Sequence, residues 1–172
     1  MIPIQEGQIT LKFRDETGAF KYDEDPFYQK SVRKLPETKG VDIVVPGAPN
    51  GYYLVELKDF RGHRIENKAR ITNGALAEEV AQKFRDTIAA LWGAWRTDNI
   101  IGNDTLFSNR SLRVEGILLL AEDVDRPESG KRVRGIRINL KTKLENLSKF
   151  LGIRVNIVTE EEFRQRYAHL LI

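Results

Sequence analysis

Asp42, Glu56 and Lys58 are the residues of this 172-residue chain whose types and spacing could do chemistry together. Glu56 and Lys58 stand two apart in Tyr52-Tyr53-Leu54-Val55-Glu56-Leu57-Lys58, a β-branched and aromatic run that predicts a strand. Residues two apart on a strand leave the same face, so Glu56 and Lys58 share one side while Val55 and Leu57 point to the other. Residues 41–45 predict a preceding strand, and Pro46-Gly47-Ala48-Pro49-Asn50-Gly51 a six-residue turn. A roughly symmetric hairpin then brings Asp42 beside Glu56 as a cross-strand neighbour. Two carboxylates set that close repel and resist ionisation unless a cation lies between them. Magnesium suits such a place, because it prefers oxygen ligands, takes few protein carboxylates and keeps water and phosphate oxygens in its remaining positions. Held there, it would acidify a bound water and offset charge on a phosphoryl group, with Lys58 orienting the nucleophile and adding a fixed positive charge.

Composition narrows the rival chemistries. The chain has no cysteine, which excludes disulfides, thiolate nucleophiles and cysteine-ligated metals. With His63 and His169 its only histidines, a zinc site of several imidazoles cannot be built. No Gly-Lys-Ser or Gly-Lys-Thr phosphate loop occurs, and no serine has nucleophile-elbow context. No apolar run approaches the length of a membrane span and the N-terminus lacks signal-peptide form, so a cytoplasmic protein is expected, with no membrane partner. A net charge of +3 is compatible with a polyanionic partner. Residues 126–143 concentrate this charge, with Arg132 and Arg134 at the centre of a basic run opposed by the single acid Glu128.

The elements that must position the trio follow from periodicity. Residues 9–13 alternate as a short strand, and Asp25-Pro26 opens a short helix with Phe27, Val32 and Leu35 as its apolar side. Leu76, Val80, Phe84, Ile88, Leu91 and Trp95 recur every three or four positions, the stripe of an amphipathic helix over 75–95. Residues 114–120 read as a strand, and Leu140, Leu144, Leu147 and Leu151 mark another helix ending near Gly152. Residues 153–158 read as a strand again, and Thr159 with Glu162 forms a capping-box pattern that opens a last helix. The order β, α, β-hairpin, α, β, α, β, α predicts one α/β domain over 1–172, a mixed central sheet flanked by helices on both faces.

Lys39-Gly40-Val41-Asp42-Ile43-Val44-Val45 followed by Tyr53-Leu54-Val55-Glu56-Leu57-Lys58 resembles the signature hairpin of the PD-(D/E)XK nuclease superfamily, with Val41 standing where the motif has proline. The resemblance implies a restriction-endonuclease-like fold and a nuclease, an endonuclease by expectation, that hydrolyses phosphodiesters of DNA, with RNA an open alternative. It implies that Asp42 and Glu56 ligate Mg2+, for which Mn2+ substitutes, that the Leu57 carbonyl assists, and that Lys58 serves the attacking water. Many members place a Gln or Lys from the next helix beside the site, and Ala81-Gln82-Lys83-Phe84 supplies both. Gln82 is the expected catalytic neighbour and Lys83 a nucleic-acid contact. Glu24, Asp25 and Glu37 flank the preceding short helix rather than lying within it, so the carboxylate that helix often gives has no match.

Arg61, Arg64, Lys68 and Arg70 follow the hairpin in what reads as a loop rimming the site, fit for phosphate contacts. His63 reads as a lone loop histidine without a catalytic role, and Trp92 and Trp95 as core packing rather than base-stacking platforms. The chain has room for a nuclease core but no separate reading domain, so specificity is expected from nucleic-acid structure, a homodimer or a partner protein. The competing reading is a catalytically silent nuclease-fold module that binds nucleic acid or a partner protein without cutting.

Overall fold

The computed structural model describes residues 3–48, 51–62, 64–99, 105–122 and 130–172, the side chains of 48, 64–66, 68 and 130–136 excepted. Its centre is a five-stranded sheet of β3 (Phe20–Lys21), β4 (Ile43–Ala48), β5 (Gly51–Asp59), β6 (Val114–Ala121) and β7 (Arg154–Val158), in that spatial order. A separate two-stranded hairpin, β1 (Ile4–Glu6) and β2 (Ile9–Leu11), precedes them. The first three strands of the large sheet pair antiparallel and the last three parallel. Parallel neighbours need long crossovers. Between β5 and β6 run α2 (Arg64–Thr72), α3 (Ala75–Arg96) and α4 (Thr105–Ser108), and between β6 and β7 runs α5 (Gly130–Ser148). The class is mixed α/β, as the element order predicts.

Each face of the sheet buries its own core. Val44, Tyr52, Leu54, Leu118 and Leu120 pack beneath α3 and α5, against Leu76, Val80, Phe84, Leu140 and Leu144. Ile43, Val45, Val55, Leu57, Ile117 and Leu119 face the β1–β2 hairpin and α6 (Glu160–Arg166), which contributes Phe163. The strand alternation therefore separates Leu57, in the second core, from Glu56 on the α3 side. One glycine sets how closely α3 approaches. A Cβ at Gly116 would stand 2.6 Å from the Phe84 ring, so its absence lets the helix settle onto β6 and carries the neighbouring Lys83 down toward the sheet.

Helix α1 (Pro26–Lys30) begins as its sequence suggests, with the Asp25 carboxylate accepting from the backbone N–H groups of Phe27 at 2.8 Å and Tyr28 at 3.1 Å. The Thr159–Glu162 capping box of α6 is formed reciprocally.

Several expectations are corrected. Residues 64–72 are a helix rather than a rimming loop; the segment RIENKARIT is short and mostly polar, with Ile65, Ala69 and Ile71 its only apolar residues. The hairpin turn is tighter than six residues, because pairing extends to Ala48 opposite Gly51 with an irregularity after Val45. Gly47 in that irregularity lies where a Cβ would meet the Thr17 carbonyl oxygen at 2.8 Å. Strands β1 and β3 are too short to carry a pattern. Leu35 is exposed and Leu147 partly so, instead of facing the core. Trp92 is 48% exposed, stacked with Trp95 and Phe107 under the Arg96 guanidinium on the surface.

Candidate metal and catalytic site

The pair Ile43–Val55 is the first rung of the β4–β5 ladder, which places Asp42 level with Glu56. Beyond that rung the strands part. Instead of meeting a β4 carbonyl, the Leu57 N–H donates to Asp42 Oδ2 at 2.6 Å, while the Asp42 carbonyl accepts from the Tyr22 N–H at 2.9 Å. The Asp42 carboxylate is thus fixed in the opening between the strands, beside Glu56.

The approach to Asp42 is held by α3. Thr87 Oγ1 accepts from the Val41 N–H at 3.1 Å, Asp86 Oδ2 accepts from the Lys39 N–H at 3.1 Å, and Gln82 Nε2 donates to the Glu37 carbonyl at 2.8 Å. Glu37 takes a left-handed φ of 61°, which that contact helps to hold. The Gln82 amide thus bonds to the Glu37 carbonyl and lies 3.5 Å from Asp86, and among the described residues it makes no hydrogen bond to Asp42 or Glu56. It grips the segment leading to Asp42, and Lys83 is the helix residue that reaches the centre.

Lys83 Nζ lies 2.6 Å from Glu56 Oε1 and 3.6 Å from Asp42 Oδ1. Lys58 Nζ lies 2.8 Å from the same Glu56 oxygen and 3.0 Å from Glu79 Oε1. Arg70 closes the chain, 2.5 Å from Glu79 Oε2. Glu79 precedes Lys83 by one helical turn, so both project from the same side of α3 over the open end of the hairpin.

The electrostatics turn on Glu56, which is fully buried and whose Oε2 accepts no hydrogen bond. Burial pushes its carboxyl up to about 7, the Asp42 charge adds to this, and Lys83 and Lys58 only partly oppose it. Burial also works against the Lys58 ammonium, but Glu56 and Glu79 outweigh it and hold Lys58 above its ordinary value of 10.5. Glu79 is pulled below the ordinary carboxylate range, since the Lys58 hydrogen bond and the Lys58 and Arg70 charges overcome its own desolvation.

A divalent cation fits this donor set. Hard carboxylate oxygens converge from adjacent strands, and one of them, Glu56 Oε2, is buried without a partner. Asp42 and Glu56 would be its protein ligands. Among the described residues no group of three histidine, cysteine or carboxylate side chains surrounds one point, so water and substrate oxygens would complete the shell.

The expected phosphate contacts divide. The Arg61 guanidinium is bound to Asp59 at 2.7 Å and lies 3.7 Å from Glu160, on the α6 side of the sheet and away from the carboxylates. The side chains of Arg64, Lys68, Arg132 and Arg134, and all of His63, lie outside the described residues. Sequence reasoning missed Glu79 as a partner of Lys58, although its four-residue spacing from Lys83 was a usable signal.

No family model, curated protein or solved structure matches this chain. Among the described residues no helix is long and apolar enough to cross a membrane.

Proposed function

We propose that this protein is a metal-dependent nuclease with a restriction-endonuclease-like arrangement, hydrolysing phosphodiester bonds, of DNA in the first instance, at the Asp42–Glu56–Lys58 site. The observation that carries the reading is the pairing of Asp42 and a fully buried, half-unsatisfied Glu56 at the point where β4 and β5 separate, with Lys58 beside them. A buried acid with no catalytic or ligating duty is costly to keep, and replacing it by an apolar residue would relieve the cost. When bound, Mg2+ or Mn2+ would acidify a water and offset charge on the phosphoryl group.

The chain's own residues supply the rest. Asp42 and Glu56 would hold the cation, and the Leu57 N–H fixes the Asp42 carboxylate in place. Lys58, anchored by Glu56 and Glu79, presents a permanent positive charge to the nucleophile and the phosphoryl oxygens. Lys83 provides a second ammonium within reach of a phosphate that enters the opening.

One observation favours a second reading. Lys58 and Lys83 already balance Asp42 and Glu56 in a chain of ion pairs that runs on to Glu79 and Arg70, and such networks also occur as structural elements. On that reading the protein binds nucleic acid or a partner protein without cutting. Incubation with duplex, single-stranded, branched and RNA substrates, with manganese and with chelator, separates the two. Cleavage that needs manganese and disappears in Glu56→Ala supports the nuclease. Binding without cleavage across the panel, with no cation uptake in calorimetry, supports the silent module.

A further inference from the structure

At the other end of the parallel strands, where β6 and β7 begin, a cavity of about 550 Å3 opens between the C-terminal parts of α5 and α6. Glu115 opposes Tyr53 in the β5–β6 register, three residues before Glu56, and its side chain leaves the opposite face of the sheet. At about 3.3 Å per residue this is roughly 10 Å along the strand from Glu56, with the sheet between them. The cavity is therefore distinct from the candidate metal site.

Its floor is built. Glu115, 3% exposed, holds Arg113 Nε at 3.0 Å through Oε1, while Oε2 accepts from Tyr167 Oη at 2.9 Å and Asn156 Nδ2 at 3.1 Å. Arg113 Nη2 donates in turn to Tyr53 Oη at 3.1 Å. One edge of the guanidinium is thus bound to a buried frame, and the rest of it is presented at the cavity wall in a set orientation. Arginine held in this way loses little further freedom when it grips an oxyanion.

The rim is cationic and uncompensated. Lys149, Arg154 and Arg166 line the same cavity from three different elements, and among the described residues none of them forms an ion pair with a carboxylate. Arg166 is placed by stacking over the Tyr167 ring at 5.7 Å. The two carboxylates that line the cavity are both engaged, Glu115 by Arg113 and Glu145 by Lys141 at 3.5 Å. Lys149, Arg154 and Arg166 therefore leave an excess of positive charge around one concavity of ligand size, beside an Arg113 whose own charge Glu115 already balances, and an anion relieves that potential.

We propose that this cavity is a phosphate-binding site of nucleotide size, with Arg113 as the positioned anchor and Lys149, Arg154 and Arg166 as the closing charges. The phosphate comes from a free mononucleotide or from the backbone of a bound strand, which the test distinguishes. The site stands independently of the nuclease reading.

The test uses the full chain in chelator, so that the carboxylate site takes no cation. Inorganic phosphate, adenosine 5′-monophosphate and a single-stranded dodecanucleotide are titrated into the parent and into the double variant Lys149→Gln, Arg154→Gln. Both side chains are exposed and, among the described residues, make no hydrogen bond or ion pair, and the backbone bonds of these positions are untouched by the change, so the fold survives it, and a thermal melt checks that it does. Arg113 is left intact, since its loss would strand the Glu115 carboxylate. Saturable binding of phosphate or the mononucleotide, weakened at least about tenfold in the double variant, supports the proposal with a small ligand. Binding of the dodecanucleotide alone, weakened to the same degree, supports it with a strand as the source. No binding of any probe, or equal binding by parent and variant, overturns it.

Discussion

Glu56→Gln, studied in metal-free protein, should make the fold more stable at pH 8 and less dependent on pH. In the parent the Glu56 carboxyl titrates near 7 when folded, against an ordinary value of 4.5, because burial and the Asp42 charge outweigh Lys83 and Lys58. A folded pKa above the unfolded one means that the native state holds its proton longer. The contribution is fully present below 4.5, is lost as pH rises toward about 7, and stays lost above it. At about 1.4 kcal/mol per pH unit, that interval amounts to about 3 kcal/mol of stability missing at pH 8. Glutamine resembles the protonated acid in shape and charge, so the variant should recover most of that amount there and match the parent near pH 4. Urea unfolding at several pH values, followed by tryptophan fluorescence, measures both curves. Saturating manganese should stabilise the parent and not the variant, by about 2.7 kcal/mol at a hundred times the dissociation constant. A variant less stable than the parent at pH 8, or two parallel pH curves, would refute the assignment of Glu56 as a buried, cation-seeking acid.

Other outcomes follow from the same structure. Lys83→Ala should raise manganese affinity about tenfold, because it removes an ammonium 2.6 Å from Glu56, and calorimetry reads this directly. Gly116→Ala would put a Cβ 2.6 Å from the Phe84 ring, and a loss of about 1–3 kcal/mol in urea unfolding is expected from the overpacking. Asp25→Ala removes the acceptor for two N–H groups at the start of α1 and should cost about 0.5–2 kcal/mol in the same assay. Asp59 is held down to about 2, chiefly by its hydrogen bond from Arg61, with the Gln8 N–H assisting against desolvation. The stability it gives is present above 3.8 and is lost as pH falls through about 2, so Asp59→Asn should flatten the acid limb of the unfolding curve.

The parts legible in the sequence were those in which one residue type repeats at a fixed spacing. The stripe of α3 and the alternation of β5 put Phe84 in one core, Leu57 in the other, and Glu56 with Lys58 on a single face. What stayed hidden depends on distance in space. Whether Gln82 or Lys83 meets Glu56 differs by a 100° turn of the helix, decided by how Phe84 seats on Gly116 and by the pull of the Glu37 carbonyl on Gln82. The polar α2 carries too few apolar residues to announce itself, yet it delivers Arg70 to Glu79. Trp92 lies just off the buried stripe, and its neighbours in sequence do not reveal that Phe107 and Arg96 would gather it into a surface cluster. The cavity at Glu115 joins residues from β6, α5, β7 and α6, a combination with no sequence signature.

The most direct test of the central claim compares Glu56→Ala, Lys58→Ala and His63→Ala in manganese binding and nucleic-acid cleavage. Glu56→Ala should lose both, since it removes a proposed ligand. Lys58→Ala should keep cation binding while its cleavage rate falls by about a hundredfold or more, the scale of losing a positioned charge. His63→Ala should cut at the parental rate. Manganese binding and cleavage that persist at parental levels in Glu56→Ala, or a parent protein that neither binds manganese nor cuts any substrate, would contradict the account.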